Sequence, residues 1–333
     1  MRVHAIPLAH PRSSALRYPA EYVAFLVRAL PRVCLLSLRR RHDAVQVDNV
    51  PDLLVLAALP ARWRGARLVH FMYELMPELT AARLRATERH PVVRATRAME
   101  RLATGWADAV VVVTEPCRRR LVDRGVSSAK LRVIPNTQAS PAVTEAPAPA
   151  RPVLVVVTTL IERYGVDVAI RALPHLVERR PEITLEVLGD GPCRDSLTEL
   201  AASLGVAERV RFLGFVPWPE AMARVRAASL GLVPTVDDGY GGWLLPNKLL
   251  EYVAHGVPAV CSRMATVAEY FDDEAVAYFE PGDPRDLARQ VDRLLDDPER
   301  ARRQVAAALR AYRWLSWEEV SERYLTALSG DGR

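Results

Sequence analysis

The feature that most limits the architecture open to this chain is a repeated alternation. Short apolar runs rich in β-branched residues are separated by longer stretches of helical period. AVVVVT at residues 109–114 is the clearest run. It lacks polar alternation, as expected of a strand buried on both faces of a parallel sheet. In the first half, strands are expected at 2–7, 44–47, 67–72, 109–114 and 131–134, and helices at 19–41, 52–59, 90–106 and 115–124. In the second half, strands are expected at 153–157, 184–188, 210–213, 230–233 and 259–262. The helices there are expected at 165–179, 193–204, 219–227, 284–295 and 299–312. Serial βα units build doubly wound parallel sheets, so the expected class is α/β. Ligands of such sheets bind beyond the carboxyl ends of the strands. The loops after Val157, Leu188, Leu213 and Val233 are therefore the candidate site.

The segment AVTEAPAPARP at 142–152 is rich in Ala and Pro and poor in core residues, and it reads as an interdomain linker. It separates a first domain at 1–141 from a second at 153–312, with a C-terminal helix and tail at 313–333. At 333 residues, half of them hydrophobic, each domain can bury a core. The four cysteines are scattered without a CxxC pair, which argues against a zinc site or a disulfide framework and fits a reducing cytosol. The histidines show no metal-ligand spacing, so no metal is expected.

Charge is unevenly divided. Residues 1–150 carry 23 Lys and Arg against 12 Asp and Glu, a balance of +11, and the remainder carries 22 against 28, a balance of −6. A basic first half is expected to meet something anionic. Its arginines are spread over several helices without interleaved aromatics, which argues against nucleic acid and favours a membrane surface or a phosphorylated lipid. Residues 22–38 form an apolar run followed by Arg39, Arg40 and Arg41. The run is too short and too charged to span a bilayer, and no signal-peptide pattern frames it. A buried helix and a peripheral membrane contact are the two readings left open.

LPNKLLEYVAHGVPAV, residues 245–260, reads as a short helix followed by a buried strand. Pro246 suits the first helical turn, Gly256 a left-handed stop, and Pro258 prevents continuation. Lys248, Glu251 and His255 share one face, while Leu249, Leu250 and Val253 share another. An acid one turn into a helix is a candidate ligand for sugar hydroxyls, and the helix N-terminus is an anion site. An ordinary amphipathic helix with a solvated salt bridge is the competing reading.

The second half resembles the donor-binding domain of the GT-B glycosyltransferases, family 4. The resemblance rests on TTLIERYGVDVAIRAL (158–173), VLGDGP (187–192), RVRFLGFVP (209–217), VPT (233–235) and the helix with its HGVPAV strand, in the family's order. In the first half, ADAVVVVTEPCRRRLVDRGV with KLRVIPN, and FMYELMPEL (71–79), are weaker matches. The resemblance implies two Rossmann-like domains facing across a cleft, with a nucleotide-sugar donor bound mainly by the second. It places Glu251 on the ribose hydroxyls and Phe215 and Val216 near the base. Gly189, Gly191, Asn247 and Leu250 fall in the donor-binding segments. It also implies transfer with retention, no divalent metal and no cofactor.

The chain departs from the family at several positions. Where the family has Gly-Arg-Leu stands Thr158-Thr159-Leu160, so Thr159 replaces a phosphate-binding arginine. Tyr164 replaces a lysine, which leaves Arg163 and Lys248 as the nearest substitutes. A glutamate usual eight residues before Glu251 is Trp243, and the loop before it is longer than usual, so Asp237 or Asp238 is the candidate for that space. Gly239, Gly241 and Gly242 either approach phosphate or belong to a mobile surface loop. Tyr73 stands where a histidine faces the donor sugar, with Glu74 beside it and Glu78 close by. Tyr73, Glu74 and Asp238 are thus the catalytic candidates. The family's first βα unit has no counterpart ahead of MRVHAIPLAH. Either the start is truncated or the acceptor domain is pared down, and exposed strand edge is then expected to pair with a partner subunit or the membrane.

The leading expectation is a cytoplasmic glycosyltransferase, peripheral at the inner face of the membrane in one reading. It would act on a cell-surface glycan, lipid-linked or small-molecule acceptor. A non-catalytic glycosyltransferase-like subunit supporting an active partner is the alternative, and another activity on the same architecture, such as a nucleotide-sugar epimerase, is a third.

Overall fold

The computed structural model describes residues 18–137 and 151–330. The expected strand at 2–7 and the expected linker, apart from residues 151 and 152, lie outside the described residues. Contacts divide the chain into two compact units, Met1–Ile134 with Ser321–Arg333, and Pro135–Val320.

The first unit contains α1 (Tyr18–Arg39), β1 (Ala44–Asp48), α2 (Val55–Trp63), β2 (Arg67–Met72), α3 (Met76–Leu84), α4 (Pro91–Trp106), β3 (Ala109–Val112), α5 (Glu115–Asp123) and β4 (Leu131–Val133). Its four strands pair in chain order, all parallel. Right-handed crossovers therefore lay α2, α4 and α5 on one face. All four residues of β3 are buried, as the AVVV run predicts.

The second unit contains β5 (Val153–Val157), α6 (Val166–Val177), β6 (Thr184–Leu188), α7 (Arg194–Ser203), β7 (Val210–Gly214), α8 (Trp218–Ala227), β8 (Leu230–Val233), α9 (Asn247–Ala254), β9 (Ala259–Ser262), α10 (Ala265–Tyr270), β10 (Ala277–Phe279), α11 (Pro284–Asp296) and α12 (Pro298–Tyr312). Its six parallel strands run in the order β10-β9-β8-β5-β6-β7. The chain lays strands outward from β5 in one direction, then from β8 in the other. The loops after β5 and β8 thus flank the point of reversal, where open α/β sheets form a crevice. Alternate strand residues feed two cores: Val155, Val233 and Cys261 enter one, and Leu154, Val156, Leu232 and Val260 the other. This double burial explains why these strands read as unbroken apolar runs.

A last helix, α13 (Trp317–Ser329), supplies residues to the first unit from Ser321 onward. Within that unit Arg67 Nε donates to the Ala327 carbonyl at 3.0 Å, and the Tyr324 ring lies 6.5 Å from that of Phe71. Among the described residues no helix is long and apolar enough to cross a membrane.

Elements absent from the sequence reading are short. Helix α3 buries the consecutive Pro77, Glu78 and Leu79 and so shows no helical stripe, while α10 has six residues and β10 three, below the length at which periodicity is legible. Strand β2 ends at Met72, as expected, and Pro77 sits in the first turn of α3. Pro246 caps α9 from outside rather than occupying its first turn, with φ −65° and ψ 122°. Gly256 takes the expected left-handed conformation, φ +69°.

Candidate functional site

Helix α9 is fixed to the sheet by Tyr252. This side chain is fully buried, and its hydroxyl accepts from the Val157 N–H at 3.1 Å and donates to the Val155 carbonyl at 3.3 Å. Its ring lies against Gly231 of β8, where an added Cβ would come within 2.3 Å of the ring. That docking carries the first turn of α9 to the point where the strand order reverses.

Lys248 and Glu251 lie on this part of α9. The Lys248 ammonium donates to Thr158 Oγ1 at 2.7 Å and stands 3.5 Å from the centroid of the Tyr164 ring. No carboxylate forms an ion pair with it among the described residues, so the solvated Lys248–Glu251 salt bridge of the competing reading is not formed. Burial pushes the ammonium down to about 8, opposed by the nearby Glu251 charge. Burial likewise raises the Glu251 carboxyl, against the pull of Lys248. A cation shielded from water and held by a hydroxyl and an aromatic face leaves its charge available to an anion. His255 ends this helix rather than joining the pair: it is 5% exposed, neither ring nitrogen has a partner among the described residues, and burial lowers its pKa.

The loops around Lys248 are laced together. The Thr158 N–H donates to the Leu188 carbonyl at 2.8 Å, and the Leu160 N–H to the Asp190 carbonyl at 3.0 Å. Gly189 has φ +134°, and a Cβ there would lie 1.7 Å from the Thr158 carbonyl oxygen. At Gly191 a Cβ would lie 2.5 Å from the Leu160 carbonyl oxygen. The glycines of VLGDGP therefore permit two loops to touch. Thr159 and Asn247 are exposed at the same edge. Phe215 is 85% exposed, and Val216 packs partly against the core.

Three expected site residues are placed differently. Leu250 is a core side chain, 2% exposed, because it faces the sheet side of α9. Arg163 is paired with Asp238, Nε to Oδ2 at 2.5 Å, and its guanidinium lies 5.0 Å from the Tyr240 ring centroid. The other Asp238 oxygen accepts from the N–H groups of Tyr240 at 3.0 Å and Gly241 at 2.9 Å. Burial alone raises the Asp238 carboxyl, but these bonds outweigh it and hold the group below the usual range. Both carboxylate oxygens are thus engaged in shaping the loop, an arrangement unlike that of a general acid or base.

In the first unit, Tyr73 and Glu74 follow β2 directly. Tyr73 is 40% exposed and stacks on Phe71 with centroids 4.5 Å apart. Burial raises its phenol, helped by the charge of Asp48 and by Tyr324. One Glu74 oxygen, Oε2, is buried without a partner among the described residues. Glu78 instead joins a buried network, accepting from Arg120 Nε at 2.7 Å and pairing with Arg124. Arg124 also contacts Glu100 through both carboxylate oxygens at 2.9 Å, and burial pushes Glu100 up to about 7 despite that contact. These arginines are therefore balanced internally. Sequence reasoning missed Asn49, Asp52 and His70, which pack beneath the Tyr73–Glu74 turn; isolated polar residues beside apolar runs give no motif to find.

Comparison with known proteins agrees with this geometry. Residues 151–297 match the model described as glycosyl transferases group 1, and residues 1–137 match the glycosyl transferase 4-like domain. The 2-deoxystreptamine glucosyltransferase of Streptomyces kanamyceticus is 29% identical over 345 residues, covering 96% of this chain and 84% of that protein. The D-inositol 3-phosphate glycosyltransferase of Nocardia farcinica is 30% identical, covering 80% of this chain but 62% of that protein. Among solved structures, Anabaena Alr3699/HepE in complex with UDP-glucose superposes with a TM-score of 0.71 at 18% identity, covering 90% of this chain and 82% of that one. With one glycosyltransferase model on each half and two parallel α/β units beneath them, the chain belongs to the GT-B glycosyltransferases of the family 4 type and is a glycosyltransferase.

Proposed function

We propose that the second unit holds a nucleoside-diphosphate sugar at the β5–β8 reversal and that the glycosyl group passes to a hydroxyl-rich cyclitol at the carboxyl edge of β1 and β2. The observation that carries the donor half is Lys248: a shielded ammonium with no carboxylate partner among the described residues, resting on Thr158 and Tyr164, one turn from Glu251. Lys248 and the first N–H groups of α9 neutralise the diphosphate, and the leaving-group charge is stabilised where it develops. Glu251 accepts from the ribose hydroxyls. Transfer proceeds with retention and without a divalent metal.

For the acceptor, two relatives carry cyclitols in their names, 2-deoxystreptamine and D-inositol 3-phosphate. At the edge of β1 and β2, Asp48 and Glu74 offer carboxylates without a cationic partner among the described residues, beside the Tyr73 phenol. Such groups suit a neutral or amine-bearing polyol better than the anionic lipid that the net charge of the first half points to. The four free cysteines support a reducing, cytoplasmic setting. Peripheral membrane contact draws support from Val23, Val27 and Leu38, exposed on α1 beside Arg28, Arg32 and Arg39.

The test is a panel of UDP-, GDP- and ADP-sugars scored first by thermal shift, then by turnover with 2-deoxystreptamine and myo-inositol. A donor at a hundred times its Kd stabilises the protein by about 2.7 kcal/mol. Glu251→Ala is expected to abolish that shift, and EDTA to leave turnover unchanged. A panel in which no donor raises Tm rejects the donor assignment. Binding without transfer to either cyclitol rejects the acceptor assignment.

A further inference from the structure

The turn carrying Tyr73 and Glu74 is held by a single side chain from the neighbouring strand. Asn49 is the first residue after β1 and is 8% exposed. Its Oδ1 accepts from the Tyr73 N–H at 3.0 Å and the Glu74 N–H at 3.4 Å. Its Nδ2 donates to the Glu74 carbonyl at 2.7 Å and to Asp52 Oδ1 at 3.1 Å. Asp52, 2% exposed, lies 3.3 Å from Nε2 of the fully buried His70, whose Nδ1 lies 3.2 Å from the Val47 carbonyl.

The turn needs an acceptor for two N–H groups and a donor for one carbonyl, side by side. A primary amide meets that need, whereas an ionised carboxylate offers no donor. The amide is itself oriented from behind by Asp52, which in turn rests on His70. A chain of buried polar groups of this kind fixes geometry tightly when every member is satisfied. The turn it fixes presents a half-exposed phenol beside a carboxylate with an unpartnered oxygen.

We propose that Asn49, backed by Asp52 and His70, is a positioning residue for glycosyl transfer. It sets the Tyr73–Glu74 turn so that both side chains meet the acceptor together. The inference rests on the acceptor reading above.

The experiment uses the full chain with the donor and cyclitol that turn over in the panel. Asn49→Ala is compared with Tyr73→Phe and Glu74→Gln. Displacing the turn by a fraction of an ångström is expected to lower kcat by about tenfold to a hundredfold, with donor KM unchanged. The second variant is Asn49→Asp, which keeps the shape. Ionised, the new carboxyl faces the Glu74 carbonyl and Asp52, with His70, Asp48 and the Glu74 carboxylate nearby. Protonated, it regains a donor. Its transfer rate, taken as a ratio to wild type at each pH with saturating donor, is therefore expected to climb toward one as pH is lowered from 8 to 5. This variant decides the matter if Asn49→Ala does not fold. Silent Tyr73→Phe and Glu74→Gln overturn the acceptor reading. If those two impair transfer while Asn49→Ala leaves kcat intact, or if Asn49→Asp shows no recovery on acidification, the positioning role is overturned.

Discussion

Lys248 gives the site its sharpest pH signature. Its ammonium is depressed from the ordinary lysine range to about 8 by burial, so the free enzyme carries the charge below that pH and loses it above. On the proposed role, in which the charged form meets the diphosphate, kcat/KM for the donor should fall as pH rises through about 8, and Lys248→Met should abolish that limb of the profile. A flat profile from pH 7 to 9.5 contradicts the role. Stability should run the other way. Between about 8 and the unfolded lysine value, the unfolded chain binds more protons than the folded one, so this group makes folding more favourable as pH rises. At this scale the sequence was partly legible. Glu251 and Lys248 can be picked from their helical spacing, but whether they pair with each other depends on Thr158 and Tyr164, which are distant in the chain. Arg163 and Asp238 show the reverse: each has the right chemistry for a site, and their mutual bond becomes visible only once the two loops are adjacent.

Among the elements, α9 matters most, and its placement depends on a missing side chain. Gly231 leaves room for the Tyr252 ring, and Tyr252 bonds to β5 through its hydroxyl. Gly231→Ala would set a methyl 2.3 Å from that ring, forcing α9 outward. A loss of about 1–3 kcal/mol is expected in urea unfolding, together with a weaker thermal response to the donor because Lys248 leaves Thr158. Unchanged unfolding midpoints would show that the ring yields without cost. Most strands of the second sheet were readable because burial on two faces leaves apolar runs. Helices α3 and α10 were not: α3 buries three consecutive residues, Pro77, Glu78 and Leu79, which leaves no helical stripe, and the six residues of α10 hold too few turns for a period to stand out. The order of strands, which creates the crevice, is a property of pairing between distant segments and has no local sequence mark.

Taken across the whole molecule, the net charge of the first half does not describe the character of its carboxyl edge. The first half is strongly basic, yet Arg120 and Arg124 are matched to Glu78, Glu88 and Glu100, while Asp48 and Glu74 stand at its carboxyl edge. Chain order misleads in a similar way, because the last residues of the chain belong with its first unit. Tyr324 donates to Gln46 Oε1 of β1, and Arg67 of β2 bonds to the Ala327 carbonyl. Each such bond contributes about 1 kcal/mol, and the aromatic contact with Phe71 adds to them. Removing the residues after Val320 should therefore loosen the first unit selectively. Hydrogen exchange is expected to quicken in β1 and β2 while β5 and β6 keep their protection, because no bond of the second unit's sheet is lost. Tyr324→Phe should reproduce about 1 kcal/mol of the effect, in the same two strands. Uniform acceleration across both sheets would mean instead that the tail stabilises the chain as one cooperative body, and the separate first unit defined by its contacts would lose its energetic meaning.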